Sequence, residues 1–274
     1  MNRPLTIVVP VKHVPDAAQE RVLAGDPPRL QRGPGILCEL DEYALEAALQ
    51  LVEARGGTAA GHRVLALTMG PAPAADALKR ALQLGADAAV HVLDDALAGS
   101  DAWATALVLA AAVRRIAEED GRPVDLVLTG MASTDGETSL VPGQLAERLG
   151  LAHVGFATAL SLDDGAAALT AVHATATESL RVEAPLPALV AVTDRSSTPR
   201  YPSFKAILAA KKKPVRTWSA ADLGLGPDQV GAAGSRTEVL DAEARPPRTA
   251  GRVIHDDGEG GIRLAEFLLA ERLV

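Results

Sequence analysis

Apolar and polar positions in this chain fall into two regimes. In the first, short apolar runs alternate with stretches of helical period. Leu5–Val11 is β-branched and apolar throughout, the pattern of a strand buried on both faces. Asp16–Gln31 is polar and carries Gly25, Asp26, Pro27 and Pro28, so it reads as a loop or excursion. Asp41 is placed as the N-cap of a helix in which Leu45, Leu49 and Val52 recur at helical spacing, and Gly56 and Gly57 end it. The spacing then predicts a strand at Val64–Leu67, a helix at Pro73–Leu84 stopped by Gly85, a strand at Ala88–Leu93 and a long Ala-rich helix at Asp101–Glu119. A strand at Val124–Thr129 and a helix at Leu140–Leu149, with Gly150 beyond it, complete the series. This β-α repeat predicts an α/β fold, a doubly wound, mostly parallel sheet of Rossmann-like type. Ligands on such sheets bind beyond the carboxyl ends of the strands, so the loops after Val11, Leu67 and Thr129 are expected to share one crevice.

From about Leu151 the regime changes. Ala157–Leu162, Ala167–His173 and Glu178–Val182 read as short strands around turns at Asp163–Gly165 and Ala174–Thr177, and Ala188–Thr193 as another apolar strand. Beyond Lys213 the chain is rich in Gly, Pro and polar residues as far as Gly261, then closes on an amphipathic helix, Ile262–Leu273. The expected organisation is an α/β domain over 1–214 and a C-terminal arm over 215–274 that wraps on a partner or on its own body.

Composition narrows the function. The 274 residues suffice for a substantial core without staples. A net charge of -8 disfavours a nucleic-acid partner, which needs clustered cations. Cys38 is the single cysteine, so disulfides, CxxC pairs and multi-cysteine metal or iron–sulfur sites within the chain are excluded. The six histidines are scattered and none pairs at ligand spacing, so no metal site is expected. With no apolar stretch of spanning length and no leader pattern, the expected location is the cytoplasm and not a membrane.

Two segments carry candidate chemistry. The loop Gly130–Val141 (Gly130, Met131, Ala132, Ser133, Thr134, Asp135, Gly136, Glu137, Thr138, Ser139, Leu140, Val141) joins a strand to a helix. Its glycines, hydroxyls and helix N-terminus suit a phosphate, while Asp135 and Glu137 oppose one unless they point away or meet ribose hydroxyls. An ordinary capped loop is the equal alternative, and neither a Walker A nor a GxGxxG pattern is present. Cys38 sits just before a helix start, where a dipole can activate a thiol, though a packed thiol is the commoner outcome. The second segment, Pro199–Lys213 (PRYPSFKAILAAKKK), sets Phe204 between two prolines and three lysines. Phe204 is either a core ring beside a solvated helix end or a protruding anchor flanked by steering charge.

Together these residues resemble the beta subunit of electron transfer flavoprotein. The similarity runs from VPVK at Val9–Lys12 to Pro247–Gly251 (PRTAG), through DEYALEAALQL, LTMGP, LKRALQLGADAAVHV, LVLTGMASTDGETSLVP and PALVAVTD, and is most specific at PRYPSFKAILAAKKK. The resemblance implies an electron carrier and not an enzyme, with no catalytic residue, built on an adenine-nucleotide-binding sheet. It implies a heterodimer with an alpha subunit that holds most of a shared FAD. It also implies AMP, or a second FAD in bifurcating members, held by Pro10, Cys38, Glu39, Leu40, Asp41, Met69 and the Gly130–Val141 loop. The recognition loop of the family falls at about 194–213, with Phe204 as anchor, Arg200 in the Pro-Arg-aromatic element, and Lys211 and Lys212 as further contacts. Donors would be acyl-CoA dehydrogenases, as in fatty acid oxidation, and the acceptor a membrane quinone reductase or similar protein.

The chain departs from the family pattern in places. Cys38-Glu39-Leu40 stands where many members have Asn-Pro-aromatic, which leaves backbone contacts there and favours AMP over a second FAD. Ala17 stands near the position of a flavin-side aromatic, and His173–Leu180 replaces a Gly-Gly-Leu-Glu-like turn. The rival readings are an adenine-nucleotide hydrolase or ligase, which needs a pyrophosphate motif that Val11–Pro15 does not supply, and a homodimeric stress-type module.

Overall fold

The computed structural model describes residues 3–20, 22–25, 28–163, 165, 167–243, 245–246, 251 and 253–274. Asp26 and Pro27 of the excursion, and all of Pro247–Gly251 except Gly251, lie outside the described residues. The chain divides into two compact units, Met1–Leu240 and Asp241–Val274.

The first unit is built on β1 (Thr6–Pro10), continued by β2 (His13–Pro15), β3 (Leu23–Ala24), β4 (Arg29–Leu30) and β5 (Gly35–Leu37). The excursion is thus not bare loop, since β2 pairs with β5 and β3 with β4, both antiparallel. Then follow α1 (Glu39–Glu53), β6 (Arg63–Met69), α2 (Ala75–Leu84), β7 (Ala88–Val92), α3 (Ala102–Asp120), β8 (Leu126–Gly130) and α4 (Leu140–Leu149). Next come β9 (Ala152–Ala157), β10 (Ala159–Leu162), β11 (Ala168–Ala174), β12 (Ser179–Pro185), β13 (Ala188–Val192), α5 (Phe204–Ala210), β14 (Val215–Trp218) and the four-residue α6 (Gly231–Gly234).

Seven strands form one parallel sheet in the order β14-β7-β6-β1-β8-β13-β9. Alternate side chains of each strand enter different cores. On β6, Val64 and Ala66 join α1 and α2 on one face, while Leu65 and Leu67 join α3 and α4 on the other. Burial on both faces explains why the strands read as continuous apolar runs. The antiparallel sheet β10-β11-β12 packs Leu169, Ala171 and Ala184 into the α1 side of the core.

Three boundaries differ from the sequence reading, each for a physical reason. α1 begins at Glu39 with Cys38 in the cap position, because the Asp41 carboxylate serves β1 instead of capping its own helix. The strand expected at Ala157–Leu162 corresponds to β10, and β9 before it was not expected, because its partly exposed edge position leaves no apolar run to mark it. Val215–Trp218 joins the sheet as an edge strand beside β7, so residues just after 214 still belong to the first unit. The second unit contains α7 (Gly260–Ala270), of which no residue is buried.

The strand order also fixes where a ligand can bind. From β1 the chain builds outward through β6 and β7, then returns to place β8 on the other side of β1. The ends of β1 and β8 are therefore a topological switch point, where successive connections diverge and open a crevice.

Candidate nucleotide crevice and docking segment

At the carboxyl end of β1 the backbone is tied in three directions. Val11 N–H donates to Leu67 O at 2.8 Å, Thr68 Oγ1 donates to Val11 O at 2.7 Å, and Cys38 N–H donates to Lys12 O at 2.8 Å. Lys12 N–H donates to Asp41 Oδ2 at 2.8 Å. Asp41 is buried on the first turn of α1 and also receives the backbone N–H of Gly130, so one carboxylate spans the ends of β1 and β8. Burial pushes Asp41 up to about 7; the N–H of Lys12, its ammonium charge and the N–H of Gly130 act against that rise, and nearby Asp135 adds to it.

This approach dictates Gly130. A Cβ there would lie 2.8 Å from both Asp41 Oδ1 and Leu40 O. Cys38 is fully buried beside them, with Sγ 4.0 Å from Ala132 O. Burial, followed by the Asp41 charge, raises its thiol to about 11, so Cys38 is a packed thiol and not an activated one.

The loop after β8 resolves the acidic objection raised by its sequence. Asp135 is nearly buried, 2.8 Å from Lys12 Nζ and paired also with Arg32. Burial alone would raise it, but Lys12, the Ser133 hydroxyl and Arg32 outweigh that and hold it at about 2. Its charge is met by two cations, while Glu137 lies exposed. Glu137 and Ser139 adopt left-handed φ values of 49° and 53°. Such backbone is uncommon outside glycine and concentrates at ligand-holding loops. Ser139 occupies the cap position of α4 yet makes no side-chain cap bond, whereas Asp101 caps α3 through Ala104 N at 2.9 Å. No acidic residue sits in the first turn of α4. Leu140 N–H meets Thr138 Oγ1 at 3.4 Å and Pro142 has no N–H, so Val141 N–H is the first-turn donor suited to an anion.

Of the residues singled out in the sequence, Pro10, Cys38, Leu40, Asp41, Gly130, Ala132, Ser133 and Asp135 meet at the switch point, while Met69 ends the adjacent β6. Glu39 is exposed, as are Gly136, Thr138 and Leu140 toward the helix start. Met131, Thr134 and Val141 are half-buried in the same loop. Sequence reasoning missed Lys12 and Arg32 as the partners of Asp135. Lys12 was marked by its place directly after a buried strand, while Arg32 sits in a polar excursion that carries no signal.

The second segment is a helix presented on the surface. Ser203 caps α5 through Ala206 N at 3.2 Å, and α5 packs against α2. Phe204 is 77% exposed and Tyr201 91%, with Leu208 half-exposed one turn on, so the core reading of Phe204 is corrected. Ala210 faces the core, and the helix turns Phe204 about 120° away from it, out to solvent. Lys211 and Lys212 are exposed. Arg200 is committed inside the chain to Glu46 and Glu53, and Lys213 caps the end of α2.

A model of the electron transfer flavoprotein domain matches residues 30–223 of the chain. An electron transfer flavoprotein subunit beta of Mycobacterium bovis is 38% identical over 270 residues, covering 98% of this chain and 99% of that protein. The chain belongs to the electron transfer flavoprotein beta-subunit family. Other members at comparable distance are the caffeyl-CoA reductase-Etf complex subunit CarD of Acetobacterium woodii, 33% identical over 91% of this chain and 92% of that one, and protein FixA of Azorhizobium caulinodans, 38% identical over 80% and 76%. Membership assigns an electron-transfer role as a flavoprotein beta subunit. No helix among the described residues is long and apolar enough to cross a membrane.

Proposed function

We propose that this chain is the beta subunit of a heterodimeric electron transfer flavoprotein, that it keeps adenylate as a structural ligand in the β1/β8 crevice, and that it works in the cytoplasm. The observation that supports the adenylate reading is the start of α4, where Ser139 makes no side-chain cap bond, beside a loop whose one buried carboxylate is already neutralised by Lys12 and Arg32. That arrangement fits an anionic nucleotide. The first turn of α4 and the backbone of Gly130–Val141 would hold its phosphate, with Pro10, Cys38–Asp41 and Met69 framing the rest. A ligand bound only by the folded state stabilises it by mass action.

FAD, held mostly by an alpha subunit, supplies the one-electron chemistry when bound. This chain's residues bind, frame and dock. Phe204, Tyr201 and Leu208 form the apolar face that enters a pocket on a donor of the acyl-CoA dehydrogenase type, with Lys211 and Lys212 meeting carboxylates at its rim. The same complex passes electrons to a quinone reductase or similar acceptor. The 241–274 unit, with its unburied apolar residues on α7, packs on the alpha subunit.

The test is to co-express the chain with its alpha subunit, record the absorption spectrum and extract bound nucleotide under denaturing conditions. Flavin bands near ~450 nm with one AMP per heterodimer support the reading. A second FAD in place of AMP assigns the crevice to flavin, as in bifurcating complexes. Absence of both flavin and adenylate rejects the proposal.

A further inference from the structure

The docking segment is fastened at both ends by residues whose charges are consumed inside the chain. At its start, the Arg200 guanidinium donates to Glu46 through Nε at 2.7 Å and Nη2 at 3.0 Å, and to Glu53 at 2.6 Å and 2.9 Å. Both carboxylates lie on α1, and Glu46 is buried. Burial would raise Glu46, but the bonds from Arg200 and Gln50 keep it below its usual range. Ser197 Oγ adds a bond to Tyr43 O on the same helix, at 3.0 Å. At the far end, Lys213 Nζ donates to Leu82 O at 3.0 Å and Ala86 O at 2.6 Å, closing the carboxyl end of α2. Between these fixings the large apolar side chains left exposed are Tyr201, Phe204 and Leu208.

We infer that Arg200 and Lys213 are positioning residues that hold the segment in its docking geometry before a partner arrives. Both edges of the Arg200 fork are occupied and four of its five N–H groups are spent on Glu46 and Glu53, so it cannot form a second two-bond pair with a partner carboxylate. Lys213 differs from Lys211 and Lys212 in the same way, so the lysine run divides into two steering charges and one anchor. A segment ordered in advance loses little freedom on docking, and that saving appears as affinity. This inference rests on the docking reading of Phe204 for its effect on electron transfer, and on geometry alone for its effect on order.

The test uses the flavin-loaded heterodimer in four anchor states: wild type, Arg200→Lys, Lys213→Met and Glu53→Ala. Glu53 is half-exposed, so Glu53→Ala removes two of the four bonds without stranding a buried carboxylate, and it serves as the variant that keeps the fold. Amide hydrogen exchange over 200–213 and kcat/KM for reduction by an acyl-CoA dehydrogenase are measured, each with Phe204 intact and as Phe204→Ala. Expected are exchange about tenfold faster across the segment in the anchor variants, a loss of about fivefold or more in kcat/KM, and no further loss when Phe204 is already Ala, the non-additivity of residues acting through one contact. Unchanged exchange overturns the inference. So does an anchor-variant loss of equal size in the Phe204→Ala background, which would place the effect elsewhere. If Phe204→Ala alone leaves donor kinetics unchanged, the docking reading fails, and faster exchange still supports anchoring whereas unchanged exchange rejects it.

Discussion

The Lys12 ammonium lies 2.8 Å from the Asp135 carboxylate, joining the end of β1 to the loop that follows β8. Removing Lys12 therefore acts twice on an anionic ligand. It deletes a cation from the crevice and leaves Asp135 to Arg32 alone. Lys12→Ala should weaken AMP binding by about tenfold or more, the scale of a lost charge-assisted bond, measured by titration calorimetry on nucleotide-stripped protein. Asp135→Asn should not weaken it comparably, because it removes the opposing charge. Equal losses in both variants would show that the pair matters only for loop structure.

Asp41 sets a pH dependence of definite sign. Its folded value, about 7, lies above its ordinary 3.8, so the folded chain takes up a proton between those limits. Stability from this group is fully present below pH 4 and is lost as pH rises through about 7, with a slope of at most ~1.4 kcal/mol per pH unit. Asp135 runs the other way: held at about 2, it stabilises above 3.8 and loses that contribution only as pH falls toward 2. The two windows do not overlap. As pH rises from 4 to 8, wild type should lose stability relative to Asp41→Asn in denaturation midpoints, and parallel curves would contradict the assignment.

Gly130 is fixed by contact, not by backbone angle. Gly130→Ala puts a methyl within 2.8 Å of Asp41 Oδ1 and Leu40 O. The expected cost is about 1–3 kcal/mol in urea denaturation, with weaker adenylate retention, because the end of β8 and the start of α1 must part. A neutral result would mean α1 shifts freely at its start.

For docking, Phe204→Ala should leave flavin content intact and reduce the rate of reduction by the donor at sub-saturating concentrations. A hot-spot anchor is worth about 2 kcal/mol, roughly thirtyfold. Stopped-flow reduction with varied donor concentration is the measurement, and an unaltered second-order rate removes Phe204 from the interface.

Ending the chain at Leu240 should leave the first unit folded, since both of its cores lie wholly before that point. The expected defect is in recovery of heterodimer, read by size-exclusion chromatography. Full recovery would free residues 241–274 from a role in assembly.

The sheet was legible because its strands are buried on both faces and its helices carry clear stops. Val64–Leu67, Leu140–Leu149 and a crevice at the loops after Val11, Leu67 and Thr129 could be named from pattern alone. β9 and β14 could not, because edge strands such as Ala152–Ala157 and Val215–Trp218 mix exposed and buried positions. At the site, backbone donors and Gly130 follow from topology. The partners Arg32, Glu46 and Glu53 are far from their mates in sequence and sit in ordinary polar settings, so only the folded chain reveals them. Cys38 could be read from its place before a helix either as activated or, more commonly, as packed, and its burial beside Asp41 makes it packed.

The stretch bearing Phe204 connects β13 to β14, which stand five strand positions apart in the sheet. At roughly 4.8 Å per position, it crosses about 24 Å, over the face that α1 and α2 cover. It is a girdle and not an appendage. Shortening it would pull Trp218 away from Val90 and Val92 and unzip one border of the molecule, so evolution can retune its exposed side chains for new partners but has little freedom to trim its length.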